Sequence, residues 1–533
     1  MILNIMSDSE YPDLQGPRVK TDETTADAAG YQSTYLPGVA KGAMINLFGA
    51  FCRTVMLYAY TLLLARALTP SDLGHYFLIF TIINIMGLVA IVGLDFGVVR
   101  YVALYAGEGR FGLARKTLTA SLFISVPIGI AVAALIAGLA PWLTGLLMEE
   151  TDASVMAIRI FAISIPFWVV ARLFNATTQG MHRMEYQVYS RDIGEQLSKF
   201  VFTAIALIIG VGLIGVVWAN VASVVLAAGM SLVFFTIVLP RNKAVSNAVA
   251  SPVRQIFHYS LPLAFSNILG MLLLYIDMLL VGYLASPADV GYYGAALRLV
   301  TGSQAILLAF ATVFTPVISD LYNKRSDAEL HELFKTVGRW IFTCSFPIFL
   351  VLFLLSDPIM QVFGTDFTAG SGALMLLAFS QLVNAGTGTA GLMVLMSGRS
   401  HMELINVGVS LIINVIICML LIPAHGVVGA AIANVTAAVV INVMRSVEVW
   451  VFMRMQVYSI KFVKPLLAGA GGAIMVLILN NFTSIGSNLT QLMIAGAALV
   501  VTYFVIMIAL GLDAQDHAIL QMVKRRFSRA EVA

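Results

Sequence analysis

Runs of about twenty apolar residues recur along this chain, separated by short polar stretches. A helix needs about 20 residues to cross the hydrocarbon of a bilayer. Lipid offers no water to the backbone, so only helices and closed barrels can span it. Barrel strands would alternate over about ten residues, whereas these runs are continuously apolar. The reading is therefore an all-α polytopic membrane protein with about fourteen transmembrane helices. They fall near 40–66, 73–98, 117–147, 154–178, 196–212, 214–238, 257–284, 290–317, 338–355, 371–396, 402–422, 426–452, 463–481 and 488–511. Composition agrees, since only 11% of the residues are charged and 59% are hydrophobic. A soluble surface draws on about 25% charged residues.

The basic residues orient these spans. An even number of helices puts both termini on one side. Of the 31 Lys and Arg, 25 fall in the tails and loops of that side, and only Arg66 and Arg159 face the other. The positive-inside rule then places both termini in the cytoplasm of a multi-pass protein. Residues 1–36 carry Asp8, Glu10, Asp13, Asp22, Glu23 and Asp27 with few large apolar residues, and read as a disordered tail. No charged segment there leads into a cleavable apolar stretch, so no signal peptide is expected. The net charge of +3 is too small to suggest nucleic acid as a partner. Cys52, Cys344 and Cys418 all lie in apolar segments with no metal or disulfide spacing, and read as core residues.

The chain also resembles itself at an offset of about 217 residues. The segment Leu68 to Tyr76, with Asp72 and Gly74, returns as Leu284 to Tyr293, with Asp289 and Gly291. Pro141 and Glu149 correspond to Pro358 and Asp366, and Gly180, Met184 and Glu185 to Gly398, Met402 and Glu403. The segment Gly212 to Asn220 returns as Gly426 to Asn434, at an offset of 214. Each unit holds six helices, so two copies in the same orientation would be related by an axis along the membrane normal. Parallel repeats of this kind hold substrate near the midplane between the halves. The domains are then a disordered cytoplasmic tail, 1–36; an N-terminal six-helix bundle, 37–240; a second six-helix bundle, 254–455; an extra helix pair, 461–511; and a basic cytoplasmic tail, 512–533.

The segment Ala65 to Gly74, then Gly93-Leu94-Asp95 with Arg100 and Tyr101, resembles the polysaccharide transporter family, the oligosaccharide flippases. So do Tyr259 to Leu263, Asp277, and Val290 to Tyr293 with Ala295. That family stands in one superfamily with the multidrug-and-toxin-extrusion proteins and the lipid II flippases. The resemblance implies a V-shaped pair of six-helix bundles. It implies a flippase that moves a polyprenyl-diphosphate oligosaccharide from the inner to the outer leaflet of a prokaryotic inner membrane by alternating access, for export of lipopolysaccharide or exopolysaccharide. Partners would be the lipid-linked oligosaccharide, membrane lipids, and polysaccharide polymerase and chain-length machinery.

Arginines interrupt four of the spans: Arg53, Arg172, Arg298 and Arg445. A charge at that depth costs about 2.5–3.5 kcal/mol on insertion scales, and such residues face a cavity or the bundle interior. Arg53 and Arg298 are the expected ligands of a diphosphate, because the guanidinium fork matches its oxygens. Asp277, Arg172, Asn267 and Tyr275 complete the expected substrate site, and Tyr58 is a further sugar contact. The alternative is structural: Asp277 would neutralise Arg298, Glu448 would neutralise Arg445, and the span asparagines would bridge helices at about 0.6 kcal/mol each. Asp72 and Gly74 read as turn chemistry at an outer loop. Pro166, Pro262 and Pro347 read as kinks.

The chain has no Gly-x4-Gly-Lys-Ser/Thr phosphate loop for ATP and no metal-ligand cluster. No cofactor is expected, and coupling to H+ or Na+ is left open. The outer loops are too short for a glycosyltransferase or polymerase site, which makes a membrane enzyme the weakest reading. The closer rival is a multidrug or organic-cation antiporter of the same superfamily. Against it, the first helix carries Arg53 and no carboxylate, and a cationic cavity repels cations.

Overall fold

The computed structural model describes residues 48–148, 151–239, 253–482 and 489–511. The acidic and basic tails and Asn46 lie outside these residues. Among those described there is no strand, and helices account for nearly all of them. Twelve are long and apolar enough to cross a membrane. One of these, Ser400–Met453, is 54 residues long and breaks at Gly426, whose φ of 53° and ψ of −131° are not helical. The fifth apolar run of the sequence, which falls short of that standard, begins earlier than its hydropathy suggests. It is a π-helix, Val188–Glu195, running straight into the α-helix Gln196–Ile208. Large apolar side chains such as Phe51, Phe123, Ile208 and Leu420 stand exposed on the outside, as a lipid-facing surface requires. This is a multi-pass helical membrane protein.

Two helix starts explain the best-matched repeat segments. Thr69 caps the helix Pro70–Ile91, accepting from the Asp72 N–H, with proline in its first turn. Ser286 caps Pro287–Thr301 in the same way, through a capping box with Asp289. Asp72 therefore stands in the first turn of a capped helix and Gly74 is a packing glycine; neither is in a loop turn. The two helices meet at their capped ends. A methyl on Gly74 would overlap the Pro287 carbonyl oxygen, and one on Gly291 would overlap the Pro70 carbonyl oxygen. The contact is reciprocal, as between surfaces related by a two-fold axis.

Behind this contact lie two buried polar clusters at matching positions. In the first, the Asn220 amide donates to the hydroxyls of Tyr60 at 3.0 Å and Tyr76 at 3.1 Å. In the second, the Asp277 carboxylate accepts from the Tyr293 hydroxyl, from the Asn434 amide at 2.7 Å and from the Met278 N–H at 2.9 Å. Other span amides also join helices, Asn442 to Asn384 and Thr387, and Asn175 to Ser190 and Ser231. The last two helices, Val463–Phe482 and Leu489–Ala509, pack on each other and on Asp327–Leu354, where the Tyr503 hydroxyl donates to the Thr343 carbonyl. Pro262 and Pro347 lie inside helices that continue through them, whereas Pro166 follows a helix junction at Ile163.

Candidate functional site

Two cavities open within the bundle. The larger, about 740 Å³, lies between the first helix, Pro287–Thr301 and the helices from 304 to 445. The smaller, about 530 Å³, is walled mainly by residues from 80 to 224. Arg53, Phe80, Arg191, Gln196 and Lys199 line both, so these five side chains form their common boundary. Both cavities reach the end of the bundle that carries the basic loops, through Arg100, Gln179 and Gln187 in one and Glu403 in the other. At the far end lies the Gly74–Gly291 contact between Pro70–Ile91 and Pro287–Thr301.

The larger cavity is cationic. Arg53, Arg191, Lys199, Arg298 and Arg445 line it against the single carboxylate of Glu403. Three of the four span arginines are neutralised by distant helices. Arg53 pairs with Asp192 at 2.9 Å, Arg172 with Asp95 at 2.8 Å, and Arg445 with Glu403. Glu448 instead accepts from Asn406 at 2.9 Å, so it is not the partner of Arg445.

Arg298 differs. It is only 8% exposed, yet among the described residues no carboxylate lies within salt-bridge distance. Its guanidinium lies over Phe77 at 4.1 Å, Phe80 at 4.9 Å and Tyr76 at 5.9 Å. It also stands in the last turn of its helix, where the backbone dipole favours a cation. Lys199 is held alike, 6% exposed, with Nζ 4.7 Å from the Tyr60 ring centre and 5.7 Å from Phe80. Aromatic faces stabilise a desolvated cation by about 2 kcal/mol but leave its charge uncancelled. Phe80 thus carries two buried cations on one ring; Lys199 is attracted by the Glu195 carboxylate one turn before it, whereas Arg298 is in no salt bridge among the described residues.

Of the other expected site residues, Tyr275 lines the larger cavity and Arg172 the smaller. Asp277 lines neither; it is fully enclosed and bound to Tyr293 and Asn434, not to Arg298. Asn267 also lines neither cavity. The Tyr58 hydroxyl is committed to the Leu299 carbonyl at 2.8 Å, and Gly302 gives its ring room. Sequence reasoning placed Arg191 and Lys199 among the loop cations and missed them as cavity residues. The spacing of Arg191, Glu195 and Lys199 by four was the available signal, since such a row shares one helix face.

A bundle of membrane-crossing helices enclosing a cationic cavity has the architecture of a membrane transporter. The sequence pattern of the family described as Polysaccharide biosynthesis protein matches residues 39–322, and that of MatE matches residues 262–420. The chain belongs to the Polysaccharide biosynthesis protein family. It is 26% identical over 201 residues to the probable low-salt glycan biosynthesis flippase Agl15 of Haloferax volcanii, a stretch covering 36% of this chain and 41% of that protein. It is 21% identical to the putative O-antigen transporter of Shigella flexneri, over 62% of this chain and 78% of that one. In fold it resembles the lipid II flippase MurJ in an inward closed conformation, with a TM-score of 0.68 at 15% identity, covering 86% of this chain and 97% of that chain.

Proposed function

We propose that this protein is a flippase for lipid-linked oligosaccharide, moving a polyprenyl-diphosphate glycan across a cytoplasmic membrane without any covalent step. The observation that carries this reading is Arg298 with Lys199 beside it: two buried cations on an aromatic platform, in a cavity of about 740 Å³, neither in a salt bridge among the described residues, and Arg298 with aromatic faces alone. A diphosphate supplies the missing charge, and the relatives named as glycan flippase and O-antigen transporter support that cargo. Both termini lie in the cytoplasm in this reading, and fourteen spans form two six-helix halves plus a final pair. The cavities then open inward and the Gly74–Gly291 seal faces outward. The polar head enters from the cytoplasmic side while the polyprenyl tail stays in lipid, and rocking of the halves transfers the opening. Polymerase and chain-length proteins would take the product outside, and a proton or sodium gradient is one candidate driving force.

The MatE match supports a rival, an extruder of organic cations. The excess of cations in the larger cavity, Arg298 among them without a salt bridge, opposes it. A deletion strain separates the two. Lipid-linked oligosaccharide is expected to accumulate on the cytoplasmic leaflet, and Arg298→Ala or Lys199→Ala should fail to restore export while inserting normally. Heightened toxicity of ethidium-like cations, with no accumulated lipid-linked sugar, would favour the extruder instead.

A further inference from the structure

The smaller cavity differs in chemistry from the larger. Beyond the shared boundary its only cations are Arg100 and Arg172, matched by the carboxylates of Asp95 and Glu195. Arg172 is bound to Asp95, and Arg100 lies over the Tyr259 ring at 4.3 Å. This part of the wall is therefore close to neutral, and an anion gains little by entering it.

What the wall offers instead is unsatisfied hydrogen-bonding capacity. Asp95 is 7% exposed; one carboxylate oxygen takes Arg172, and the other is buried with no hydrogen-bond partner among the described residues. Leaving such an acceptor empty costs about 1–3 kcal/mol, so a donor brought to it by a ligand has much to gain. The side-chain amides of Gln179, Gln187 and Gln196 likewise form no hydrogen bond with another described residue. Neither does the indole N–H of Trp168, whose ring packs closely against Gly87, where a Cβ would stand 3.1 Å from it. A free carboxylate acceptor, three free amides and a free N–H around one cavity ask for a neutral ligand with many groups that both donate and accept.

We infer that the 530 Å³ cavity is a carbohydrate subsite, in which Asp95, Trp168, Gln179, Gln187 and Gln196 bind sugar hydroxyls while Arg298 and Lys199 hold the diphosphate next door. This rests on the flippase reading and adds where the glycan goes. The volume lies within the range of about 300–1,000 Å³ usual for ligand pockets. The shared boundary of Arg53, Phe80, Arg191, Gln196 and Lys199 makes the two subsites adjacent, as one bond between diphosphate and sugar requires.

Equilibrium binding to the purified protein in lipid nanodiscs tests this with two probes. One is bare undecaprenyl diphosphate; the other is the same lipid bearing a trisaccharide begun with N-acetylglucosamine. Wild type should bind the glycan-bearing lipid at least tenfold more tightly. Asp95→Asn should remove most of that preference and leave the bare lipid within twofold. Gln179→Leu, which breaks no ion pair, should lower the preference several-fold and covers the case where Asp95→Asn does not fold. Arg298→Gln should weaken both probes alike. Equal wild-type affinity for the two probes, or an unchanged preference in Gln179→Leu, overturns the carbohydrate subsite while the flippase reading stands. Binding of neither probe by wild type overturns both.

Discussion

Arg298 and Arg53 are both arginines in apolar spans, and their surroundings give them different roles. Arg53 already has the Asp192 carboxylate at 2.9 Å, so an incoming phosphate must share it. Arg298 has only aromatic faces, so its whole charge is available. Arg298→Ala is therefore expected to weaken diphosphate binding by more than tenfold, and Arg53→Ala by several-fold less, in the nanodisc titration. Equal losses would show that the Asp192 pair opens in the bound state. Asp277 is the opposite case. Its carboxylate satisfies a tyrosine, an amide and a backbone N–H inside the fold. Asp277→Ala leaves those donors buried and should cost about 1–3 kcal/mol of stability, read as a lower melting temperature in detergent with diphosphate affinity unchanged. Asn220→Leu, which removes two such bonds at about 0.6 kcal/mol each, should cost less. A stable Asp277→Ala protein with lost affinity would return that carboxylate to the substrate site.

At the scale of elements, two features set geometry. Gly426 joins two helices through a backbone conformation that a Cβ strains. Gly426→Ala should destabilise by about 1–3 kcal/mol, although nothing within 4 Å would clash with the added methyl; an unaltered melting temperature would show that the break can relax. The π-helix Val188–Glu195 sets Asp192 against Arg53 and leads into Lys199. Here the limits of the sequence are physical. Apolar runs reveal spans because desolvation acts on each residue in turn, so most spans, the lone arginines and the repeated cap segments were legible. The start of the fifth, read at 196, was not, because charges at Arg191, Asp192, Glu195 and Lys199 lower its hydropathy, although Arg191, Glu195 and Lys199 face the cavities and Asp192 pairs with Arg53. Nor were the partners of the arginines. Asp95, Asp192 and Glu403 lie 77, 139 and 42 residues from the arginines they bind, and only packing brings them together. Asp277 misled for the same reason: a charge in a span marks a buried partner or a cavity, and composition does not separate them.

At the scale of the whole molecule, the reciprocal glycine contact is the part of the fold that the proposed alternating access would have to break. Pro70–Ile91 and Pro287–Thr301 approach closely only because Gly74 and Gly291 lack side chains. A methyl at either position meets backbone, which cannot rotate away, and such overpacking costs about 1–3 kcal/mol. On the proposed reading this contact holds the outer side shut in the conformation described here and would be absent in an outward-open counterpart. Gly74→Ala and Gly291→Ala should therefore shift population toward the outward-open state rather than unfold the protein. A shift of 1.4 kcal/mol changes the ratio of two states tenfold. The reporter is Leu57→Cys, which lines the larger cavity, in a background where Cys52, Cys344 and Cys418 are replaced. A membrane-impermeant maleimide should label it from the cytoplasmic face of everted vesicles in the parent. In Gly74→Ala, and more so with Gly291→Ala added, labelling should rise from the outer face of intact cells and fall from the inner one. Opposite movement of the two signals ties the seal to the opening of the cavity. Loss of both would mean the contact only holds the fold together, and labelling of the parent from the outer face alone would reverse the orientation drawn from the basic loops.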